Sequence, residues 1–304
     1  MLINKIIISI IAVLLPLLVA AQSVSVVREN KQQKFHKQMP AGNYSGVAYL
    51  GNNRYAVVDD KSEDDGYYIF NITIDTIKGK ILTVSDEGFV KTSNGNTDLE
   101  GIAYNASQDS VYTIGERNTG KESLSYNEQT HRFWTTTEAP MPEDGMPATP
   151  ENGLTNRMRL KCYDDNMTLV GEYLYEMDKP TAKSSGRNYV FGVSELCALD
   201  DGSVLVLERE FRVTRTGIGT WCKCKLYIVN PKTTAVDNVL KKSLLWESKT
   251  RLNILSRSLA NYEGMCIGPR LSDGRRLLLL IADSQYRHKG VMKDWLKTLV
   301  ITDR

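Results

Sequence analysis

Seven carboxylates fall at corresponding points of one short phrase that occurs four times in the chain. The phrase is a Glu-Gly or small-residue step, an apolar run, a turn, and a second apolar run that closes on an acid. Tyr44-Ser45-Gly46-Val47-Ala48 leads to Asp59, and Leu99-Glu100-Gly101-Ile102-Ala103 leads to Glu116. Ser194-Glu195-Leu196-Cys197-Ala198 leads to Glu208, and Tyr262-Glu263-Gly264-Met265-Cys266 leads to Asp283. Clustered carboxylates hold hard cations, Ca²⁺ above all, through oxygen ligands. A bound metal polarises a phosphoryl oxygen and lowers the pKa of bound water. Arg117 and Arg209 directly follow two of the acids, and Lys61 and Arg287 stand close after two others. Such cations suit phosphate, Arg in bidentate fashion. Metal-assisted hydrolysis of an anionic ester is the chemistry these residue types support.

Each copy reads as strand, turn, strand. Asp200-Asp201-Gly202-Ser203 is the clearest turn. Folding each copy about its turn sets Glu195 opposite Glu208, Glu100 opposite Glu116, Glu263 opposite Asp283 and Ser45 opposite Asp59. Like charges face to face destabilise a strand pair. A cation therefore belongs among them, either Ca²⁺ or arginine. Neighbouring strand residues face opposite ways, so Arg117 and Arg209 can serve an adjacent repeat or an anionic ligand. The plainer alternative is that the acids only accept backbone N–H groups where repeats meet.

Divergent repeats of this kind indicate a closed or stacked β architecture. Lys5 precedes an apolar run from Ile6 to Ala21, which reads as a secretory leader cleaved after Ala21. The run is short for a membrane span and no later segment replaces it. The expectation is a soluble chain, periplasmic or secreted. At roughly 40–50 residues per blade, the single domain over 22–304 makes about six propeller blades. Met158 to Met177 and Lys223 to Trp246 supply two strand pairs without the motif. Val24 to Val27 and Leu296 to Ile301 are strand-like and would close the ring. Lys289 to Leu296 is the one candidate for a short helix. The segment from Asn118 to Asn156 reads as a long irregular loop, either a lid over the site that contributes Trp134 or His131 to a ligand or a stretch that merely packs across the blade tops.

A net charge of +2 with dispersed basic residues excludes a nucleic-acid groove or a polybasic membrane patch. Five Cys is an odd count for an exported protein, so at least one thiol is free unless it pairs between chains. Cys197 and Cys266 occupy matching apolar positions and read as core. Cys222 and Cys224 share one strand face, where pairing is poor. No Cys/His spacing suits zinc. Gly42-Asn43-Tyr44-Ser45-Gly46 has the wrong spacing for a nucleophile elbow, and Gly192-Val193-Ser194-Glu195-Leu196 lacks its last Gly. A Ser-His-Asp mechanism would have only His36, His131 and His288 to draw on.

Asp98-Leu99-Glu100-Gly101-Ile102-Ala103, Phe191-Gly192-Val193-Ser194-Glu195-Leu196, Asp201-Gly202-Ser203 through Glu208-Arg209, and Asn261-Tyr262-Glu263-Gly264-Met265 occur in that order. Gly268-Pro269-Arg270 through Ala282-Asp283 follows them. With these motifs the chain resembles the phytase-like β-propeller family of exported bacterial proteins named for the esterase-like activity of phytase. The likeness covers most of the chain after the leader. It implies phosphoester or carboxylic ester hydrolysis with Ca²⁺ as the metal. Ser45 in place of Glu, and Leu196 in place of Gly, depart from the pattern. The expected site has Glu100, Glu195, Glu263 and Asp283 on the metal, with Glu116, Arg117, Glu208 and Arg209 in the reaction or orienting a small anionic substrate. A monomer is expected. The competing expectation is a non-catalytic propeller that binds an anionic sugar, peptide or protein and carries structural metal.

Overall fold

The computed structural model describes residues 24–232, 238–255 and 257–302. The expected leader at 1–21 lies outside the described residues. Apolar alternation broken by Gly, Asn and Asp turns gives almost wholly antiparallel β structure. β1 (Ser25–Glu29) and β2 (Gln33–Lys34) come first. β3 (Tyr44–Gly51), β4 (Arg54–Asp59), β5 (Gly66–Ile74) and β6 (Ile81–Lys91) form a four-stranded meander. β7 (Leu99–Asn105) and β8 (Ser110–Gly115) form a two-stranded sheet that runs into one helical turn, α1 (Glu116–Thr119). β9 (Ser123–Asn127), β10 (Arg132–Thr136), β11 (Arg157–Tyr163) and β12 (Leu169–Glu176) form the next sheet. β13 (Asn188–Ala198), β14 (Val204–Val213), β15 (Thr220–Val229) and β16 (Lys242–Leu252) follow. β17 (Asn261–Arg270), β18 (Arg276–Asp283) and β19 (Trp295–Thr302) make the last sheet, with β1 and β2 added to β19.

One strand of each sheet faces an axis. β3 lies against β7, β7 against β9, β9 against β13, β13 against β17, and β17 returns to β3. Sheets arranged radially in such a ring are the blades of a β-propeller. The seam closes as expected, with Ser25 opposite Thr302 and Val26 opposite Ile301.

Among the described residues the sheets number five, not six. The two motif-free strand pairs are not blades of their own. β11 and β12 are the outer half of the blade that begins at β9, and β15 and β16 are the outer half of the blade that begins at β13. The lid reading is also corrected, because the segment from Asn118 to Asn156 contains β9 and β10. Trp134 is a buried β10 residue packed on Tyr173, their ring centroids 5.8 Å apart. His131 sits in the exposed β9–β10 turn, 3.0 Å from Asp165. Lys289 to Leu296 holds only the end of a 3₁₀ turn, His288–Gly290, before β19 begins.

The ring is narrow, and this explains the recurring Gly. A Cβ on Gly46 would lie 2.7 Å from the Glu100 carbonyl oxygen, and one on Gly101 would lie 2.5 Å from the Leu124 nitrogen. A Cβ on Gly264 would lie 2.1 Å from the Ser45 carbonyl oxygen. Inner strands touch backbone to backbone at this level, and only hydrogen fits between them. Apolar clusters fill the wedges between blades. Tyr55, Val57, Leu277 and Leu279 pack in one, and Leu205, Leu207, Met265 and Leu280 in another. All five Cys are buried and free, with Cys222 Sγ 3.8 Å from Cys224 Sγ. Among the described residues no helix is long and apolar enough to cross a membrane.

Candidate functional site

The motif heads are β-bulges. Leu99 pairs with Gly115 and Gly101 with Ile114, which leaves Glu100 as the extra residue. Glu263 is extra between Tyr262 and Gly264, and Ser194 between Val193 and Glu195. The first repeat is irregular across Ser45-Gly46. A bulge re-aims one side chain and shifts the register after it. The acids are therefore not opposed as expected. Glu208 faces Val193, Asp283 faces Asn261, Asp59 faces Tyr44, and Glu116 lies beyond β8 in α1. In the third repeat Ser194 takes the place of the acids and Glu195 the place of the glycines.

The bulges gather acids at the end of the ring where the inner strands begin. Oxygens of Asp60, Asp98 and Glu100 lie within 4.8 Å of one another. Lys61 Nζ is 2.9 Å from Asp60 Oδ2 and 2.6 Å from Asp98 Oδ1. Arg117 Nε is 3.3 Å from Asp98 Oδ2, and its guanidinium also donates to the Asn96 carbonyl at 2.9 Å. Burial, with Asp60 adding its charge, pushes the Glu100 carboxyl up to about 8. Burial opposes ionisation of Asp98 too, but Lys61 and Arg117 outweigh it and hold that carboxyl below its ordinary range. Burial raises Asp283 to about 7 and Asp59 to about 6. Three carboxylates around a common point are hard oxygen donors of the kind Ca²⁺ takes.

The other expected residues lie elsewhere. Arg209 is buried and its guanidinium is paired with Glu263 and Glu138, with Asn261 Oδ1 at 3.2 Å. It thus serves the adjacent blade rather than standing open to a ligand. Glu208 points into the gap between blades, where it accepts from Tyr175 Oη at 2.7 Å and Lys242 Nζ at 2.7 Å. Glu195 stands on the axis. Its carboxyl accepts the Leu196 N–H at 2.9 Å, and the backbone N–H groups of Met265 and Leu124, on two other inner strands, favour its charged form. Arg287 clamps Asp294 at 2.5 Å and the Met39 carbonyl at 2.7 Å.

Sequence reasoning missed Asp60, Asp98, Glu122 and Glu138. Glu122-Ser123-Leu124 opens β9 as Glu100-Gly101-Ile102 opens β7, an acid, small, apolar step that marks a fifth head. Its carboxyl is buried near Glu138 and Glu100, and burial raises its pKa well above the usual range. Asp98 stands two residues before Glu100, but the two meet through a left-handed residue at Asp98 and the bulge at Glu100, neither of which strand alternation foretells. Glu138 carried no signal.

The phytase-like family described as "Esterase-like activity of phytase" matches residues 113–286, more than half of the chain. The chain belongs to this family. The match spans α1 through the β18–β19 connection and so covers most of the ring. A second family, "SdiA-regulated", matches residues 26–121. No curated protein matches the sequence. Among solved structures, a streptogramin B lyase is 11% identical over 90% of this chain and 98% of its own, with a TM-score of 0.33. A DUF4221 member from Bacteroides vulgatus is 10% identical over 93% and 99%, with a TM-score of 0.37. The Cps50 (Swd1) β-propeller domain of Myceliophteria thermophila is 10% identical over 92% and 100%, with a TM-score of 0.32.

Proposed function

We propose that this phytase-like propeller is an exported, calcium-dependent hydrolase of phosphate esters or related esters. The observation that supports this reading is the trio Asp60, Asp98 and Glu100 set beside Lys61 and Arg117. The three carboxylates would hold Ca²⁺, which supplies Lewis-acid polarisation of an ester oxygen when bound. Lys61 and the half-exposed Arg117 would bind and orient the anionic group. Glu116, close enough to Glu100 to raise its pKa, would take a proton from the attacking water. Arg209 fixes Glu263 and Glu138 and acts as a positioning residue. Glu195, which the expected site places on the metal, acts instead as an axial plug.

One observation favours the non-catalytic alternative. Lys61 already bridges Asp60 and Asp98, and Arg209 bridges Glu138 and Glu263, so the acids are partly neutralised from within. Phosphate release from phytate and from an aryl phosphate, in excess Ca²⁺ and in chelator, separates the two. Release that requires Ca²⁺ and falls by about 10²-fold in Glu100→Gln is the expected result. Saturable Ca²⁺ binding without turnover of either ester would give the site to the binding reading.

A further inference from the structure

Two connections meet at the outer tip of the blade that begins at β13. The β14–β15 turn at 214–219 and the chain leaving β16 lie side by side. Gly219 N–H donates to the Leu252 carbonyl at 2.7 Å, and Leu252 in turn bridges Arg257. β14 and β16 both end here, so the tip stands at the same end of the ring as the acids, on its outer rim. Leu255 is 98% exposed, Ile254 83% and Ile218 56%. Single exposed aliphatic side chains are ordinary, but three on one tip form a patch that marks a contact surface.

Cations frame the patch. Arg215 shares the turn with Ile218, and Lys249 and Arg251 lie near the end of β16. Arg257 comes together with Lys34 of β2 and with Lys293. None of these six forms an ion pair with an acid among the described residues. Burial, then the charges of Lys34 and Arg257, hold Lys293 below its ordinary range, and burial with the Arg251 charge does the same to Lys249. Basic residues dispersed along the sequence are thus gathered by the fold, against the expectation of no polybasic patch. Lys249 Nζ lies 3.5 Å from the Trp221 ring centroid, and Lys293 Nζ lies 5.3 Å from that of Trp295. Both indoles are half-buried, which suits the headgroup layer of a bilayer. A groove of about 550 Å³ beside Leu255 is lined by Lys31, Arg257 and Trp295, and its acid, Glu29, is paired with Lys297 at 2.5 Å. An apolar tip among unpaired cations is the composition that settles into the interface of an anionic membrane.

We infer that this tip docks on an anionic phospholipid bilayer, with Ile218, Ile254 and Leu255 entering the acyl boundary and the surrounding cations on lipid phosphates. The surface is independent of the acid cluster and of any hydrolysis there. The test is sedimentation of the full chain with vesicles of phosphatidylcholine, alone or in equal mixture with phosphatidylglycerol. The mixed vesicles are expected to bind about tenfold or more tightly than the neutral ones, and high salt should remove most of that difference. Ile254→Ser with Leu255→Ser should weaken binding by about tenfold or more, and so should Arg257→Gln with Lys293→Gln. In Leu255→Trp, brominated acyl chains should quench the added fluorescence. Glu100→Gln should leave vesicle binding unchanged, which separates this surface from the proposed hydrolase. Absence of vesicle binding, equal binding to both vesicle types, or affinity untouched by the paired serine substitutions would overturn the inference. If the serine variant does not fold by circular dichroism, Leu255→Trp decides, and an unquenched indole there would overturn the inference as well.

Discussion

At the scale of single residues, the Glu-Gly step does two unrelated jobs. The acid is thrown out of the ladder by a bulge toward the mouth of the ring. The glycine lets neighbouring inner strands meet. Gly264 shows the constraint most sharply, since its added Cβ would fall 2.1 Å from the Ser45 carbonyl oxygen. The nearest atom is backbone and cannot swing away, and the Ile281 and Val47 side chains stand close beside it. Gly264→Ala should therefore cost about 1–3 kcal/mol, as overpacking does, and lower the urea midpoint without changing the slope. A midpoint equal to the parent's would show that the strands slide apart freely, and the narrow-ring account would fail. Glu195 occupies the corresponding place in the third repeat. It is tolerated because its carboxyl accepts the Leu196 N–H and lies near further backbone donors of the neighbouring inner strands. Sequence alone aligned it with the acids, because Ser194-Glu195-Leu196 contains a Glu at the apparent head. The one-residue shift of the bulge is invisible until the strands are paired.

At the scale of elements, the ring depends on a strand from the far end of the chain. β1 covers the outer edge of β19, with Glu29 opposite Leu299 at one end of the pairing and Ser25 opposite Thr302 at the other. Val24 is buried in the wedge beside it. Deleting residues 24–29 removes about 2 kcal/mol of apolar burial at Val24 alone, and it bares a strand edge that invites association. The truncated chain should melt at lower temperature and scatter light before it unfolds. A melt that matches the parent would mean that the seam does not hold the ring. This closure was legible in the sequence, because both terminal runs are β-prone and apolar. The number of blades was not. An outer strand pair such as β11–β12 has the same alternation as an inner one, so periodicity counts pairs and not sheets. β9 was hidden for another reason. Ser123, Ser125 and Asn127 alternate with Leu124 and Tyr126, but a helical turn and a proline-rich stretch flank the pair and make the segment read as loop.

At the scale of the whole molecule, the propeller buries more carboxyl groups than its cations neutralise, and this sets how stability responds to pH. Burial raises Glu122 and Glu195 well above the ordinary carboxylate range, and it raises Glu208 despite Lys242 and Tyr175. Unfolded, each would release its proton near about 4.3. Folded, each keeps it to higher pH. The folded state therefore binds more protons in that window, and stability must fall as pH rises through it. The contribution is complete below the unfolded value and is lost by the time pH passes the folded ones. Asp178 works the other way. Burial opposes its charge, but Lys225, Tyr227 and Lys242 hold it below the usual range, so its contribution disappears only in strong acid. The urea midpoint should accordingly be highest in mild acid and decline toward pH 8. Glu195→Gln keeps the shape and cannot ionise, so it should flatten that decline, and adding Glu122→Gln should flatten it further. If both variants keep the parent slope, the axial carboxyl is ionised in the folded state. The three backbone donors would then outweigh burial at the centre of the ring.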